Sequence, residues 1–424
     1  MELLNRILRK ENLRAAYENV VRNKGSAGVD GIGTDELKAF LQEHWSRLKE
    51  ELGSGQYFPG AILGVTIPKR SRGERLLGIP TTVDRMIQQA IHQELSPMFD
   101  PEFSEHSYGF RPGKSAGQAI LQARQYINQG HGHIVDIDLK HFFDEVNHDY
   151  LMNLIKRKVD DPQLLRLIWR YLRSPVQIDG KLRKRRKGVP QGGPLSPLLS
   201  NIVLNELDKE LDRRELSFVR YADDFSIFLN TARAAHRVKR CITRFIEDSL
   251  HLQVNTNKSA IRKPLNYEYL GYAFESAYRK GVRGQYQLVV SKDSLEELKY
   301  KIKAITRKTI PASFDERIER LNLLMRGWLQ YFKHASIQGK MKSMDGWVRN
   351  RLRYCIWHHW KKPKRRVKNL TRLGVQTEMA WQWGHSRMGG WAVACSPILG
   401  TTITLDRLKT RGYKSFLEYY LVIH

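Results

Sequence analysis

Four carboxylates stand out as the residues with chemistry to offer. Asp223 and Asp224 are adjacent in VRYADDFSIF, residues 219–228, with apolar residues on both sides, while Asp136 and Asp138 alternate with apolar residues in HIVDIDL, 133–139. Adjacent carboxylates in an apolar frame repel each other and hold their protons more tightly unless a positive charge neutralises them. If the two acidic segments are neighbouring strands of one sheet, three or four carboxylates converge. Such a cluster suits a pair of Mg²⁺ ions that stabilise the attacking and leaving oxygens of an in-line phosphoryl displacement.

The elements that must position these acids follow from local patterns. FVRY and FSIFL read as two strands joined by a very short turn, with Asp223 and Asp224 at the hairpin tip. The period of two in HIVDIDL makes it a strand with Asp136 and Asp138 on one face. Residues 62–80 read as a hairpin turning at Ser-Arg-Gly, and TTVDRMIQQAIHQELSPMF as a helix started by Thr81, Thr82 and Asp84 and ending before Pro97. Helices are expected at 148–159, at 162–173 behind the opener DDP, and at about 233–250, and YEYLGYAFE as one short strand. An N-terminal helix over 1–22 is broken by NKGSAGVDGI. Beyond residue 290, Leu295, Leu298, Ile302 and Ile305, then Ile318, Leu321, Met325, Leu329 and Phe332, fall on amphipathic helix faces.

Charge sets the class of partner. The chain has 424 residues, 72 Lys and Arg against 44 Asp and Glu, a formal charge of +28 and a pI near 10.0. That balance fits work against a large polyanion, with nucleic acid as the leading partner. No apolar run long enough to span a membrane and no apolar leader ahead of a cleavage site are present, so a soluble, cytoplasmic protein with no membrane partner is expected. Three cysteines, Cys241, Cys355 and Cys395, form no CxxC pair, which excludes a disulfide framework and a cysteine-rich zinc module.

Two basic clusters are candidate phosphate contacts. KLRKRRK at 181–187 has no acid within it and reads as a phosphate-contacting ribbon through Lys181, Arg183, Lys184, Arg185, Arg186 and Lys187. Residues 326–372 hold 14 Lys or Arg and one acid, Asp345. Within that stretch Lys361, Lys362, Lys364, Arg365 and Arg366 lie near Tyr354, Trp357 and Trp360, a mixture suited to phosphate contact and base stacking. Leu352, Ile356 and Trp360 also share a helix face, so at least one tryptophan is expected in the core.

These residues resemble the reverse transcriptases, and within them the group II intron-encoded reverse transcriptase/maturases. YADD is similar to the catalytic tetrad and DLKHFFD to the first catalytic strand. Further matches run in family order: NKGSAGVDGI, IPKRSRGERLLGIPTTVDRMIQQAI, FSEHSYGFRPGKSA, GVPQGGPLSPLLSNIVLNELD, NKSAI and YLGYAFE. They cover residues 23–275. The helical remainder, including RGWLQYF at 326–332, resembles the thumb and maturase region. The resemblance implies an α+β right-hand polymerase, fingers and palm with an antiparallel palm sheet, followed by an α-helical thumb/maturase domain. Boundaries expected from it are 1–80 for the N-terminal extension and fingers, 81–290 for the fingers/palm core, and 291–424 for the thumb/maturase domain and basic C-terminal segment.

The implied activity is RNA-directed DNA polymerisation with two Mg²⁺ ions, replaceable by Mn²⁺. The implied partners are an RNA template with a DNA primer, dNTPs, group II intron RNA whose splicing and retrohoming the protein aids, and target DNA. Metal-binding catalytic acids carry over to Asp138, Asp223 and Asp224. Asp136 is a rival to Asp138, but the family's first acid stands five residues before a bulky aromatic, here Phe143. Phe143 would be the ring that excludes a 2′-hydroxyl. Lys69 and Arg75 would grip the triphosphate, Gln191 would pack at the nascent base pair with Gly192 and Gly193 admitting the substrate, and Lys258 would approach the pyrophosphate. The C-terminal residues lack the His, Asn and paired Cys of the endonuclease domain of many relatives, which points to the endonuclease-lacking class. Two other readings remain open from sequence: an RNA-binding maturase or chaperone without polymerase activity, and an RNA-dependent RNA polymerase.

Overall fold

A computed structural model describes residues 2–68, 74–277 and 285–424, with Glu2 and Arg75 described by backbone alone. The chain divides into two compact units, Met1–Lys263 and Pro264–His424.

In the first unit the central sheet has the order β6-β7-β3-β8, from β3 (His133–Ile137), β6 (Ser217–Tyr221), β7 (Asp224–Leu229) and β8 (Ala260–Arg262), with every pairing antiparallel. Its apolar positions are closed from solvent: Ile134, Val135, Phe218, Val219 and Ile227 are all fully buried. Helix Ala232–Asp248 packs on this sheet with Ala235, Val238, Ile242 and Ile246, a spacing that makes one helical stripe. Thr231 starts that helix by accepting a hydrogen bond from the Ala234 amide at 3.2 Å. A second sheet, β2-β1-β4-β5, joins the hairpin β1 (Ile62–Pro68) and β2 (Glu74–Ile79) to β4 (Val176–Ile178) and β5 (Lys181–Arg183). The Ser-Arg-Gly turn of the hairpin, and Lys69 with it, lie outside the described residues.

Helix starts follow their capping signals. The Thr81 hydroxyl accepts from the Asp84 amide at 3.1 Å, and Asp161 accepts from the amides of Gln163 and Leu164 ahead of helix Pro162–Arg173. The stop expected before Pro97 fails, because helix Thr82–Phe99 runs through it. Leu95 and Phe99 on either side of Pro97 are both core residues, and their burial outweighs the one backbone hydrogen bond that proline cannot make. The single helix expected over 1–22 is two, Glu2–Ile7 and Lys10–Arg22.

The second unit opens with an antiparallel sheet, order β11-β10-β9, of β9 (Glu268–Tyr269), β10 (Tyr272–Ser276) and β11 (Tyr286–Val290). YEYLGYAFE is therefore a hairpin rather than one strand. Leu270 and Gly271 both take positive φ, 50° and 80°, which turns the chain back on itself. Helices follow to the C-terminus, the longest being Gln338–His359. Asp345, the lone acid of the basic stretch, is buried and accepts from the Tyr413 and Ser415 hydroxyls and from the Phe416 and Leu417 amides. It anchors the start of the last helix, Phe416–Ile423. The fold is mixed α+β, with sheets that are antiparallel except where β1 and β4 run parallel, followed by a helical region. No described helix is long and apolar enough to cross a membrane.

Candidate active site

The two acidic segments are neighbours. β3 pairs with β7 so that Asp136 faces Ser226 and Ile137 faces Phe225, and one step further along both strands Asp138 comes level with Asp224. Side chains alternate across a sheet, so Asp136, Asp138 and Asp224 share a face. Tyr221 pairs with Asp224, leaving Ala222 and Asp223 as a two-residue turn. Ala222 takes φ +58°, a value that residues with a side chain rarely adopt. For an alanine this left-handed backbone costs about 1–2 kcal/mol, so something must hold it.

Arg220 does so from inside the protein. Its side chain is fully buried, and Nε and Nη2 donate to the two carboxylate oxygens of equally buried Asp208 at 2.7 and 2.5 Å. Nη1 donates to the Ala222 carbonyl and to Asn201 Oδ1, each at 3.0 Å. The Asn201 amide in turn donates to the Gly109 carbonyl at 2.9 Å. Gly109 presses against the turn so closely that a Cβ there would lie 2.3 Å from the Ala222 nitrogen. The segments SYGF, LSNIVLNELD and VRYADD thus meet at one buried guanidinium. Residue types alone hid this role, because Arg220 is one of many basic residues. The available signal was an Arg inside an apolar strand, which demands a buried acid such as Asp208 on the helix Ser196–Arg213.

Electrostatics separates the four acids. Asp224 is pushed up to about 7, first by loss of hydration among surrounding protein atoms, then by repulsion from Asp223, Asp138 and Asp136, with Lys258 opposing. The residue is nevertheless open to solvent, so the repulsion between like charges is the firmer part of that cause. Burial also raises Asp136, opposed by Arg262, whose Nε donates to it at 2.9 Å; Ser226 Oγ donates to its other oxygen at 3.3 Å. Asp138 is held differently. Asn255 Nδ2 donates to its carboxylate at 2.8 Å, and its backbone amide donates to Ser259 Oγ at 3.0 Å. Asp136 is thus matched by a protein cation and Asp138 by a neutral amide. Among the described residues, no group of three or more His, Cys, Asp or Glu stands ready to hold a metal ion. The acids share a face without forming a preassembled cage, and their mutual repulsion is the feature that a cation would relieve.

The other expected site residues sit around this face to differing degrees. Phe142 and Phe143 open a short helix, Phe142–Glu145, behind His141 at φ +50°, so a helical turn rather than strand alternation parts the two rings. Phe142 is core, and Phe143 is half-buried against it with ring centroids 5.3 Å apart. The Phe143 carbonyl accepts from the Val189 amide at 2.6 Å, tying it to the GVPQGG segment. Gln191 is half-buried, and its carbonyl accepts from the Gly78 amide at 2.8 Å. Gly192 meets the protein itself: at φ +136°, a Cβ would lie 2.4 Å from the Gly78 carbonyl oxygen. Its lack of a side chain therefore admits strand β2. Gly193 likewise has Gln88 Oε1 2.4 Å from where a Cβ would be. Lys258 is exposed and within electrostatic reach of Asp224. Arg75 pairs through its backbone with Ile67 in the hairpin.

Residues 67–274 match the family described as reverse transcriptase (RNA-dependent DNA polymerase), and residues 295–374 match the group II intron maturase-specific domain. Protein YkfC of Escherichia coli (strain K12) is 32% identical over 299 residues, in a match that covers 61% of this chain and 78% of that protein. The chain belongs to the group II intron reverse transcriptase/maturase family. Its enzyme class is RNA-directed DNA polymerase. The group II intron-encoded protein LtrA of Lactococcus lactis subsp. cremoris is 33% identical over 241 residues, 55% of this chain and 40% of LtrA. The putative COX1/OXI3 intron 1 protein of Saccharomyces cerevisiae is 30% identical over 211 residues, 50% of this chain and 25% of that one. The chain thus spans well under half the length of those two intron proteins. Reverse transcriptase domains in general work with divalent metal ions.

In this reverse transcriptase the basic residues divide into committed and exposed. Lys181 and Arg183 lie on exposed β5, and Lys184 and Arg186 are exposed as well. Lys187 has an acidic partner after all, bridging to Glu145 Oε2 at 2.6 Å, because the fold brings that acid from 42 residues away. Arg185 is half-buried, and burial lowers its pKa against the attraction of Asp144. In the maturase-specific domain Lys361, Lys362, Lys364 and Arg365 are exposed. Arg366 is not one of that group, since its guanidinium sits 4.5 Å from the ring centre of Trp357, a core residue.

Proposed function

We propose that this reverse transcriptase copies an RNA template into cDNA at Asp138, Asp223 and Asp224, and that its second unit binds group II intron RNA to aid splicing and retrohoming. Those three carboxylates would hold two Mg²⁺ ions, or Mn²⁺ in their place. Asp136 supports them through its pairing with Arg262. The observation that carries this reading is Asp224, raised to about 7 beside like charges on one sheet face. Divalent cations at such a site supply the positive charge that steadies the attacking and leaving oxygens.

The primer 3′-hydroxyl loses its proton as its oxygen bonds to the α-phosphorus of a dNTP, and the bond to pyrophosphate breaks. Lys258, within electrostatic reach of Asp224, would give charge or a proton to that leaving group. Lys69 and Arg75 would grip the triphosphate, Arg offering a bidentate donor fork. Gln191 packs at the nascent base pair, and Phe143 fills the space that a 2′-hydroxyl needs. The exposed residues Lys181, Arg183, Lys184 and Arg186 contact phosphates of the template and primer, and target DNA would be held by the same kind of charge.

The test is extension of a DNA primer on an RNA template, with wild-type protein beside an Asp223→Asn/Asp224→Asn variant. Extension by the wild type alone, with RNA binding kept by both, is expected. RNA binding without extension by either protein would overturn the polymerase reading.

A further inference from the structure

The second unit carries a half-open cavity of about 670 Å³ bounded by the segment 308–317, the C-terminal end of helix Gln338–His359, the helix Pro363–Arg372 and the segment 403–411. Its wall contains five Lys or Arg and one His, and no Asp or Glu. Three of those cations are already committed. Arg317 donates to the carbonyls of Ala312, Ile305, Arg307 and Ile310, Arg407 to those of Thr402 and Leu373, and Arg411 to the Asp315 carboxylate. Lys308 and Arg372 are exposed and make no hydrogen bond or ion pair among the described residues, and the Asn369 side chain makes no hydrogen bond there either. Apart from His359, Ser313 and Thr410, the remaining wall is largely apolar, with half-buried Trp360 and with Ile356, Leu373 and Ile403.

This composition selects a ligand class. Two uncommitted cations suit a phosphate. An amide offers a donor and an acceptor together, as the edge of a nucleobase requires. An indole in an apolar wall suits a flat ring. A simple anion would leave the apolar wall without purpose, and an acyl chain would leave the amide unpaired. We infer that the cavity receives one nucleotide of an RNA strand, its base against Trp360 and Asn369 and its phosphate between Lys308 and Arg372. The inference rests on the RNA-binding reading of this unit and gives it a specific receptor.

The full chain is titrated with a single-stranded oligoriboadenylate carrying one 2-aminopurine, and separately with AMP and with adenosine, over a series of salt concentrations. Quenching of the 2-aminopurine on binding, and reversal of that quenching by AMP but not by adenosine, are expected. Asn369→Leu and the smaller Asn369→Ala should each weaken oligonucleotide binding on the order of tenfold. Lys308→Ala/Arg372→Ala should flatten the dependence of log K on log salt by about 1.4, the share of two phosphate contacts on a single strand. AMP binding that the oligonucleotide does not displace would overturn the strand as ligand. Wild-type RNA affinity in both Asn369 variants would overturn the cavity while leaving RNA binding by the unit intact, and no binding of either probe by the wild type would overturn both.

Discussion

The guanidinium of Arg220 donates to the carbonyl of Ala222, so the strained residue of the YADD turn is fastened from the protein interior at 3.0 Å. The same group neutralises Asp208 in full burial. Removing one partner strands the other charge, so Arg220→Ala should destabilise the first unit by about 3–5 kcal/mol. An apolar pair, Arg220→Met/Asp208→Leu, should recover most of that stability yet leave the turn unfastened. Its kcat for primer extension is expected to fall on the order of a hundredfold with little change in KM for dNTP, since a misplacement of about 1 Å is enough for such a loss. Denaturant unfolding measured beside steady-state extension separates the two effects, and wild-type kcat in the stable double variant would show that the tether does not position the acids.

Asp224 gives a pH signature. A carboxyl whose folded pKa lies above its unfolded value contributes stability that is fully present below the unfolded pKa and is lost as pH rises through the folded one. For Asp224 that window runs from about 4, the ordinary carboxyl range, to about 7. In EDTA, Asp224→Asn should therefore match the wild type in stability near pH 4 and exceed it at pH 8, where the wild-type charge is repelled by Asp223 and Asp138. Added Mg²⁺ should narrow the gap at pH 8 by stabilising only the wild type, because binding requires the deprotonated acid. Melting curves at the two pH values, with and without Mg²⁺, decide it.

What could be read ahead of the structure was local. The hairpin that carries Asp223 and Asp224, the strand leading to Asp136 and Asp138 and the caps at Thr81 and Asp161 depend on residues a few positions apart. What could not be read depends on distant partners. Asp136 is distinguished from Asp138 by Arg262, 126 residues away, and Arg220 finds its acid on a separate helix. Lys187 looked unpartnered because Glu145 is not in its segment. Leu270 does not look like a turn residue, so the break in YEYLGYAFE escaped notice, and Pro97 misled because core burial on both sides of it outweighs a lost hydrogen bond.

Phe143 offers a selectivity test. Its ring is half-buried and braced by Phe142, and its backbone is held by Val189. Trimming the side chain should open space without releasing the segment. Phe143→Val and Phe143→Ala are expected to raise rNTP incorporation relative to dNTP by at least tenfold, Ala more than Val, read as the ratio of kcat/KM in single-nucleotide primer extension. An unchanged ratio in both variants would remove Phe143 from sugar discrimination.

The basic segment of the maturase-specific domain should split in two on mutation. Lys361, Lys362, Lys364 and Arg365 present their charge to solvent, where each phosphate contact adds to the salt dependence of RNA binding. Replacing the four with Ala should weaken intron RNA binding more than it slows extension on a short primer-template, with a flatter plot of log K against log salt. Arg366 lies over buried Trp357. Arg366→Ala should instead cost about 0.5–2 kcal/mol of stability through loss of that cation–π contact, with little change in the salt slope. If Arg366→Ala changes the slope as much as Lys364→Ala while the melting temperature holds, its guanidinium serves RNA rather than the core.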